Sequence, residues 1–308
     1  MTRLATGARR RLAAVAGRLY LSDNKSVSAG SLAVAEVNSY KVELFRAEKA
    51  IIERLGNWLS GKKMLDIGVG AGRTTASFAP LVASYVGVDY SPPMIAACES
   101  RLGHQFSNVS LLVGDARDLS AFDTASFDFV FFSFNGLDCV DHADRFKVLS
   151  EMRRVCRPDG RICFSAHNIY AAAQLFHLRP HDRSSSLALI RGVIWQFLLR
   201  VLNDSPAALA QRPYAIVRDG ALKFRVTLYY IRPSVQLAQL AEAGFSDVEI
   251  FGHDGQRISP DDVDDSRDLS LHYLASPAGG GHEVSASDAA SEAASGASDA
   301  RRSVGARP

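Results

Sequence analysis

The segment Leu65-Asp66-Ile67-Gly68-Val69-Gly70-Ala71-Gly72-Arg73 constrains the fold more than any other stretch. A short apolar run, Met64 to Ile67, stops at three alternating glycines, and a helical pattern over Arg73 to Leu81 follows. Glycine permits the tight turn and lets a ligand approach the backbone, and the helix N-terminus beyond offers free N–H groups. A strand that turns through such a loop into a helix points to an α/β sheet covered on both faces. A dinucleotide loop of the Gly-x-Gly-x-x-Gly type requires glycine at position 73, where this chain has Arg73.

The alternation continues along the chain. Leu44, Ala47, Ile51, Leu55 and Trp58 recur at helical spacing, which predicts a helix over 40–59. Strands are predicted at Tyr85 to Val88, Val109 to Val113, Phe129 to Phe132 and Arg161 to Ser165. Ser91 is read as the cap of a helix whose first turn holds Pro92 and Pro93. A helix over 142–156 breaks at Pro158-Asp159-Gly160. Residues 167–232 then interrupt the pattern with a helix, Leu187 to Leu202, and a hairpin, Ala215 to Tyr230, around Asp219-Gly220. Phe224, Val226, Leu228 and Tyr230 share one face of its second arm. This insert is the expected lid and acceptor region. A helix from Pro233 to Ala243 and strands at Val248 to Phe251 and Leu269 to Leu274 complete the pattern.

Composition limits the partners. Lys and Arg total 35 against 33 Asp and Glu, a net charge of +2, which argues against wholesale binding to nucleic acid. The four cysteines have neither Cys-x-x-Cys nor zinc spacing, so no metal site is expected and the thiols are read as free, in the cytoplasm. No run of 18 apolar residues predicts a transmembrane helix. Residues 1–39 read as a basic, weakly ordered leader and 276–308 as a disordered Ala/Ser/Gly tail, which leaves 40–275 as one domain.

Carboxylates recur at the expected strand ends: Asp66 just before the glycines, Asp89 after the second strand and Asp115 after the third. Three carboxylates suit a cationic ligand such as a sulfonium and repel a pyrophosphate. These residues and motifs resemble the class I S-adenosylmethionine-dependent methyltransferases of the small-molecule methyltransferase-domain type. The resemblance runs from about Tyr40 to Ala275. It rests on Leu65 to Gly72, Val86-Gly87-Val88-Asp89, Gly114-Asp115-Ala116, Phe127-Asp128-Phe129-Val130, Met152 to Gly160 and Ala243-Gly244-Phe245. It implies a Rossmann-like, seven-stranded, mostly parallel sheet in the order 3-2-1-4-5-7-6, with the last strand antiparallel. It also implies S-adenosyl-L-methionine as cofactor, with Gly68 and Gly70 against its methionine part, Asp89 on the ribose, and Asp115 and Ala116 at the adenine edge. Tyr90 and Met94 would flank the adenine, and Ser133 would lie beneath the methionine portion. Asp66 and Gly72 complete the expected cofactor set.

Beyond strands four and five, His167 is placed to act as a base, with Asp138 and Tyr230 as further candidates for catalysis. His142 and Tyr229 are alternatives, and capping the next helix is a competing role for Asp138 and His142. The apolar Leu187 to Leu202 helix is read as a lid buried on the core, with a membrane-surface contact as its other use. The expected activity is methyl transfer to a small or lipid-like metabolite, on oxygen before nitrogen. The alternatives are a nicotinamide-type oxidoreductase, a non-catalytic cofactor-binding module and an RNA methyltransferase.

Overall fold

The computed structural model describes residues 43–102, 105–177 and 185–279. The leader over 1–39, and all of the tail beyond 279, lie outside the described residues. In chain order the strands are β1 (Lys63–Ile67), β2 (Ser84–Asp89), β3 (Val109–Val113), β4 (Phe127–Phe132), β5 (Cys156–Asn168), β6 (Tyr214–Val217), β7 (Leu228–Ile231), β8 (Phe245–Phe251), β9 (Arg257–Ile258) and β10 (Ser270–Pro277). The α-helices are α1 (Arg46–Leu55), α2 (Thr75–Phe78), α3 (Pro92–Leu102), α4 (His142–Val155), α5 (Ser186–Leu202), α6 (Pro206–Ala210) and α7 (Pro233–Glu242).

The sheet runs β3-β2-β1-β4-β5-β10-β8-β9. The first five strands pair in parallel, and β10 is antiparallel to both β5 and β8. With β8 as sixth strand and β10 as seventh, the order is the expected 3-2-1-4-5-7-6. Three strands are additional. β9 is a two-residue edge on β8, and the β6–β7 hairpin attaches where His167 and Asn168 pair with Tyr230 and Ile231.

Alternation along the strands builds two cores. Leu65, Ile67, Val86, Val88 and Val130 pack on one face with Val148, Leu149 and Met152 of α4. Met64, Tyr85, Phe129 and Phe131 pack on the other with Ala47, Ile51 and Leu55 of α1 and Cys98 of α3. Each fully buried Phe of β4 contributes about 1.5–3 kcal/mol. The insert has its own small core, in which Leu199, Leu209, Val217 and Phe224 meet the segment after β5.

Several elements differ from the sequence reading for identifiable reasons. α1 stops at Gly56, whose φ is +49°, and a 3-10 turn continues to Leu59. Pro80, which lacks an N–H, confines α2 to four residues before a 3-10 turn. The Ser91 hydroxyl has no partner among the described residues, because Pro93 removes one cap donor and the Met94 N–H bonds the Ser91 carbonyl. The second hairpin arm is a strand only over β7. Leu222, Lys223 and Phe224 take left-handed φ, which buries the Phe224 ring against Trp195 at 4.4 Å. β10 runs on to Pro277, two residues past the expected boundary. α5 is not a buried lid: only Gly192, Gln196 and Leu199 are buried along it.

Candidate active site

A cavity of about 620 Å³ opens at the carboxyl ends of β1, β2, β4 and β5, where parallel α/β sheets bind ligands. The glycine loop forms its floor. The Gly68 and Val69 N–H groups donate to the Val88 carbonyl at 2.7 and 3.1 Å, which holds the loop against β2. Gly68 has φ +67°, and a Cβ there would lie 2.8 Å from the Phe132 ring, so only glycine fits.

Asp89 ends β2 with its carboxylate on the cavity wall. One oxygen accepts from the Ser91 N–H at 2.9 Å and the other from the Gly70 N–H at 3.0 Å. Each oxygen keeps capacity for a second donor. Burial pushes the acid upward, and the two N–H groups oppose that rise without cancelling it. Gly68, Gly70, Tyr90, Met94, Ala116 and Ser133 line the same cavity. A buried carboxylate with two spare acceptor sites, beside a glycine loop, fits a ribose diol. The Arg73 guanidinium is committed to Glu48 in two bonds of 2.6 Å, so it offers no free clamp for a pyrophosphate.

Three sequence-predicted cofactor residues are placed otherwise. Asp115 does not line the cavity. Arg117, two residues on, holds both its oxygens at 3.0 and 2.8 Å and also reaches Asp144. Gly72 turns toward α3, where a Cβ would meet Leu102 at 2.6 Å and the Cys98 sulfur at 2.8 Å. Asp66 touches the cavity, but its Oδ2 accepts from the Thr74 hydroxyl at 2.5 Å and from the Tyr85 hydroxyl. It therefore ties the glycine loop to β2. Burial pushes this carboxyl up to about 6 against those two hydrogen bonds.

The other end of the cavity is built by β5 and its neighbours. His167 lines it. The Asp138 Oδ2 accepts from the His167 main-chain N–H at 2.6 Å and lies 2.8 Å from Nδ1. The Asp138 Oδ1 accepts from Arg145 at 2.5 Å, and Arg145 also reaches the Gln236 side chain at 2.5 Å. Asp138 and Arg145 are both buried, so Asp138 stands behind the imidazole, away from the cavity. This network assigns the proton to Nδ1 and leaves Nε2 as an acceptor, facing the Asn135 amide at 3.0 Å. Tyr230 is not on the cavity wall: its ring stacks on His167 at 4.5 Å and its hydroxyl donates to Asp219. Tyr229 and His142 bond one another at 2.6 Å on the opposite face of the sheet. The cap of α4 is Asp141, which accepts from the Asp144 N–H.

Several site residues carried no readable signal. Asn135 sits in a left-handed turn with Phe134, at φ +55° and +54°. Glu48 reaches Arg73 and Ser133 from α1, and Phe45 and Phe134 stack at 5.7 Å beside the Arg73 guanidinium. Burial alone would raise the Glu48 carboxyl, but the Arg73 and Ser133 contacts outweigh it and lower it. His272 lines the cavity at 4% exposure, with neither ring nitrogen hydrogen-bonded among the described residues. Burial drives its imidazole down to about 4, against the pull of Glu48 and with the help of Arg73 and His253. The antiparallel register pairs His272 with Ser165 and Ser270 with His167, which places all four on one sheet face. The alternation Ser270, His272, Leu274 was visible in sequence, but its register against β5 was not.

Comparison with known proteins agrees with this geometry. Residues 64–160 match a family model described as a methyltransferase domain. The phthiotriol/phenolphthiotriol dimycocerosates methyltransferase of Mycobacterium leprae is 38% identical over 109 residues, 35% of this chain and 38% of that protein. A ubiquinone/menaquinone biosynthesis C-methyltransferase UbiE, from Citrifermentans bemidjiense, is 27% identical over 217 residues, 67% of this chain and 79% of that protein. The chain thus spans well under half of the first relative and most of the second. Among solved structures, an S-adenosylmethionine-dependent methyltransferase from Clostridium acetobutylicum has a TM-score of 0.54 at 14% identity, over 79% of this chain and 94% of that one. That likeness shows the fold. Together, the family match, the sheet order and the Asp89 loop identify a class I methyltransferase domain whose cofactor is S-adenosylmethionine.

Proposed function

We propose that this protein methylates a hydroxyl of a largely apolar, small or lipid-like acceptor. The observation that carries the reading is the buried Asp138–His167 pair, which presents Nε2 as an acceptor on the cavity wall. When bound, S-adenosylmethionine supplies an electrophilic methyl group whose thioether leaving group needs no proton. The proton to be managed is therefore the acceptor's own.

The chain's residues divide the work. Asp89 and the glycine loop fix the ribose end, and Tyr90 and Met94 wall the adenine side. His167 Nε2 takes the hydroxyl proton once the Asn135 amide gives way to the acceptor. Asp138 holds the Nδ1 proton and steadies the cation that forms, as the carboxylate of a hydrolase triad does. Arg145 holds the other Asp138 oxygen at 2.5 Å and so fixes the carboxylate behind the ring. Val226, Leu228 and Leu269 supply apolar wall, and the stacked Phe45 and Phe134 close one side against water.

Carbon methylation is the second reading. It is favoured by the relative whose name includes C-methyltransferase, and it uses the same residues: a base that ionises a ring hydroxyl also activates the adjacent carbon. The test begins with isothermal titration of S-adenosylhomocysteine; absence of binding sinks the cofactor reading. Cofactor labelled in its methyl group is then incubated with fractionated lipids and metabolites. A labelled methoxy product supports the first reading and a labelled C-methyl the second. A labelled N-methyl product rejects both.

A further inference from the structure

Helix α5 presents a face that the rest of the described chain leaves uncovered. Leu187, Ile190, Val193, Ile194 and Phe197 are each more than half exposed, Leu187 at 76% and Phe197 at 63%. At 3.6 residues per turn these five share one arc, opposite the buried Gly192 and Leu199. Single exposed apolar side chains are ordinary, but five on one arc mark an interaction surface.

Charge selects the occupant. The stretch from Ser185 to Asn203 holds no Asp or Glu. Arg191 and Arg200 fall on the two borders of the apolar arc; the Arg200 guanidinium is held by the neutral oxygens of Gln196 and Phe176, which leave its charge uncompensated. A second copy of the helix would set these arginines against their own kind around the shared seam. Anionic headgroups neutralise them while the apolar side chains enter the acyl boundary. No helix among the described residues is long and apolar enough to cross a membrane, so α5 suits the interface plane.

The buried side of α5 gives this face its meaning. Trp195 packs on Phe224, and Gln196 ties the helix to the carbonyls of Leu175 and His177 at 3.0 and 2.9 Å. Ala221 and Leu222, just before Phe224, line the cavity. The helix is therefore the outer layer of the wall on the acceptor side. We propose that α5 docks on the headgroup layer of an anionic lipid bilayer, apolar face inward, and so holds the cavity wall at the membrane surface. The docking stands whether or not the proposed methyl transfer does.

Flotation of the full chain with vesicles tests it. One set is phosphatidylcholine with about one-third phosphatidylglycerol, and the other is phosphatidylcholine alone. The wild type should float with the anionic set and much less with the neutral one. The triple variant Ile190→Ser, Ile194→Ser, Phe197→Ser should partition at least about tenfold more weakly, from the apolar area removed. Its S-adenosylhomocysteine titration and melting should match the wild type, since these side chains are exposed. Failure of the wild type to float, or equal flotation on both vesicle sets, overturns the proposal. So does a variant that floats as well as the wild type, which assigns binding to residues outside α5. Sedimentation equilibrium covers the remaining occupant: a dimer abolished by the same substitutions replaces the membrane with a second copy.

Discussion

The two ends of the cavity hold their carboxylates by different means. Asp89 is gripped by backbone: the Ser91 and Gly70 N–H groups reach one oxygen each. Asp138 is gripped mainly by side chains, with Arg145 on one oxygen and His167 on the other, and the guanidinium anchored in turn on Gln236. A backbone cradle survives the loss of its occupant, because the glycine loop and the β2 end keep their own bonds. A buried relay does not, because each member neutralises or satisfies the next. Damage at the acceptor end should therefore spread into stability, and damage at the cofactor end should stay in affinity.

The largest expected effect tests that directly. Asp138→Ala strands the Arg145 guanidinium in the core and should cost about 3–5 kcal/mol of stability, read from urea unfolding. Adding Arg145→Met should recover much of that loss, since the unpaired charge is then gone. A double variant no more stable than the single one would break the relay picture. Asp89→Ala comes next and should leave the unfolding free energy, read from urea titration, within about 1 kcal/mol of wild type. It should weaken S-adenosylhomocysteine by about a hundredfold, the worth of two hydrogen bonds to a charged acceptor. Equal damage to stability at both ends would erase the distinction.

Asp66 offers a finer cut, through pH. Its carboxyl is held at about 6 in the folded protein against 3.8 for the free group. Between those values the folded chain binds a proton that the unfolded chain has released. Stability therefore falls as pH rises across that window, by up to about 3 kcal/mol for a shift of this size. Asp66→Asn should abolish that slope while leaving the slopes due to other groups. Urea midpoints from pH 4 to pH 7 measure the difference. A wild type that gains stability relative to the variant across this range would reverse the sign and remove the case for a buried, proton-sharing anchor.

How far each end was legible follows from distance along the chain. The glycine loop and Asp89 rest on local rules, a strand feeding a turn and a carboxylate at a strand end, and the sheet order follows from the family resemblance that these motifs carry. The acceptor end joins residues 135, 138, 145, 167 and 272, and what joins them is register. His272 faces the cavity because it pairs with Ser165 across β10 and β5. Arg145 points inward because the chain folds back to give it Asp138 and Gln236. Apolar composition in the 187–202 stretch suggested burial, yet composition does not say which arc of a helix finds a neighbour. The hairpin arm failed for a related reason: alternation at Phe224, Val226 and Leu228 reflects packing on α5 and the cavity, not a continuous strand.

The smallest expected effect falls on Asp115, and it separates position in a motif from function in a site. The motif alone places a carboxylate at the end of β3 beside an adenine, where its loss should weaken the cofactor at least tenfold. The structure instead spends both oxygens on Arg117, in a partly exposed pair that also includes Asp144. Exposed pairs of this kind contribute less than about 1 kcal/mol, and Gly114 and Ala116 present only backbone and a methyl group to the cavity. Asp115→Asn should therefore change S-adenosylhomocysteine affinity by less than about threefold and stability by under about 1 kcal/mol. The same titration that reads Asp89→Ala measures it. A tenfold loss would mean that Arg117 releases the carboxylate when the nucleoside enters, and the β3 end would then join the β2 end as a cofactor contact.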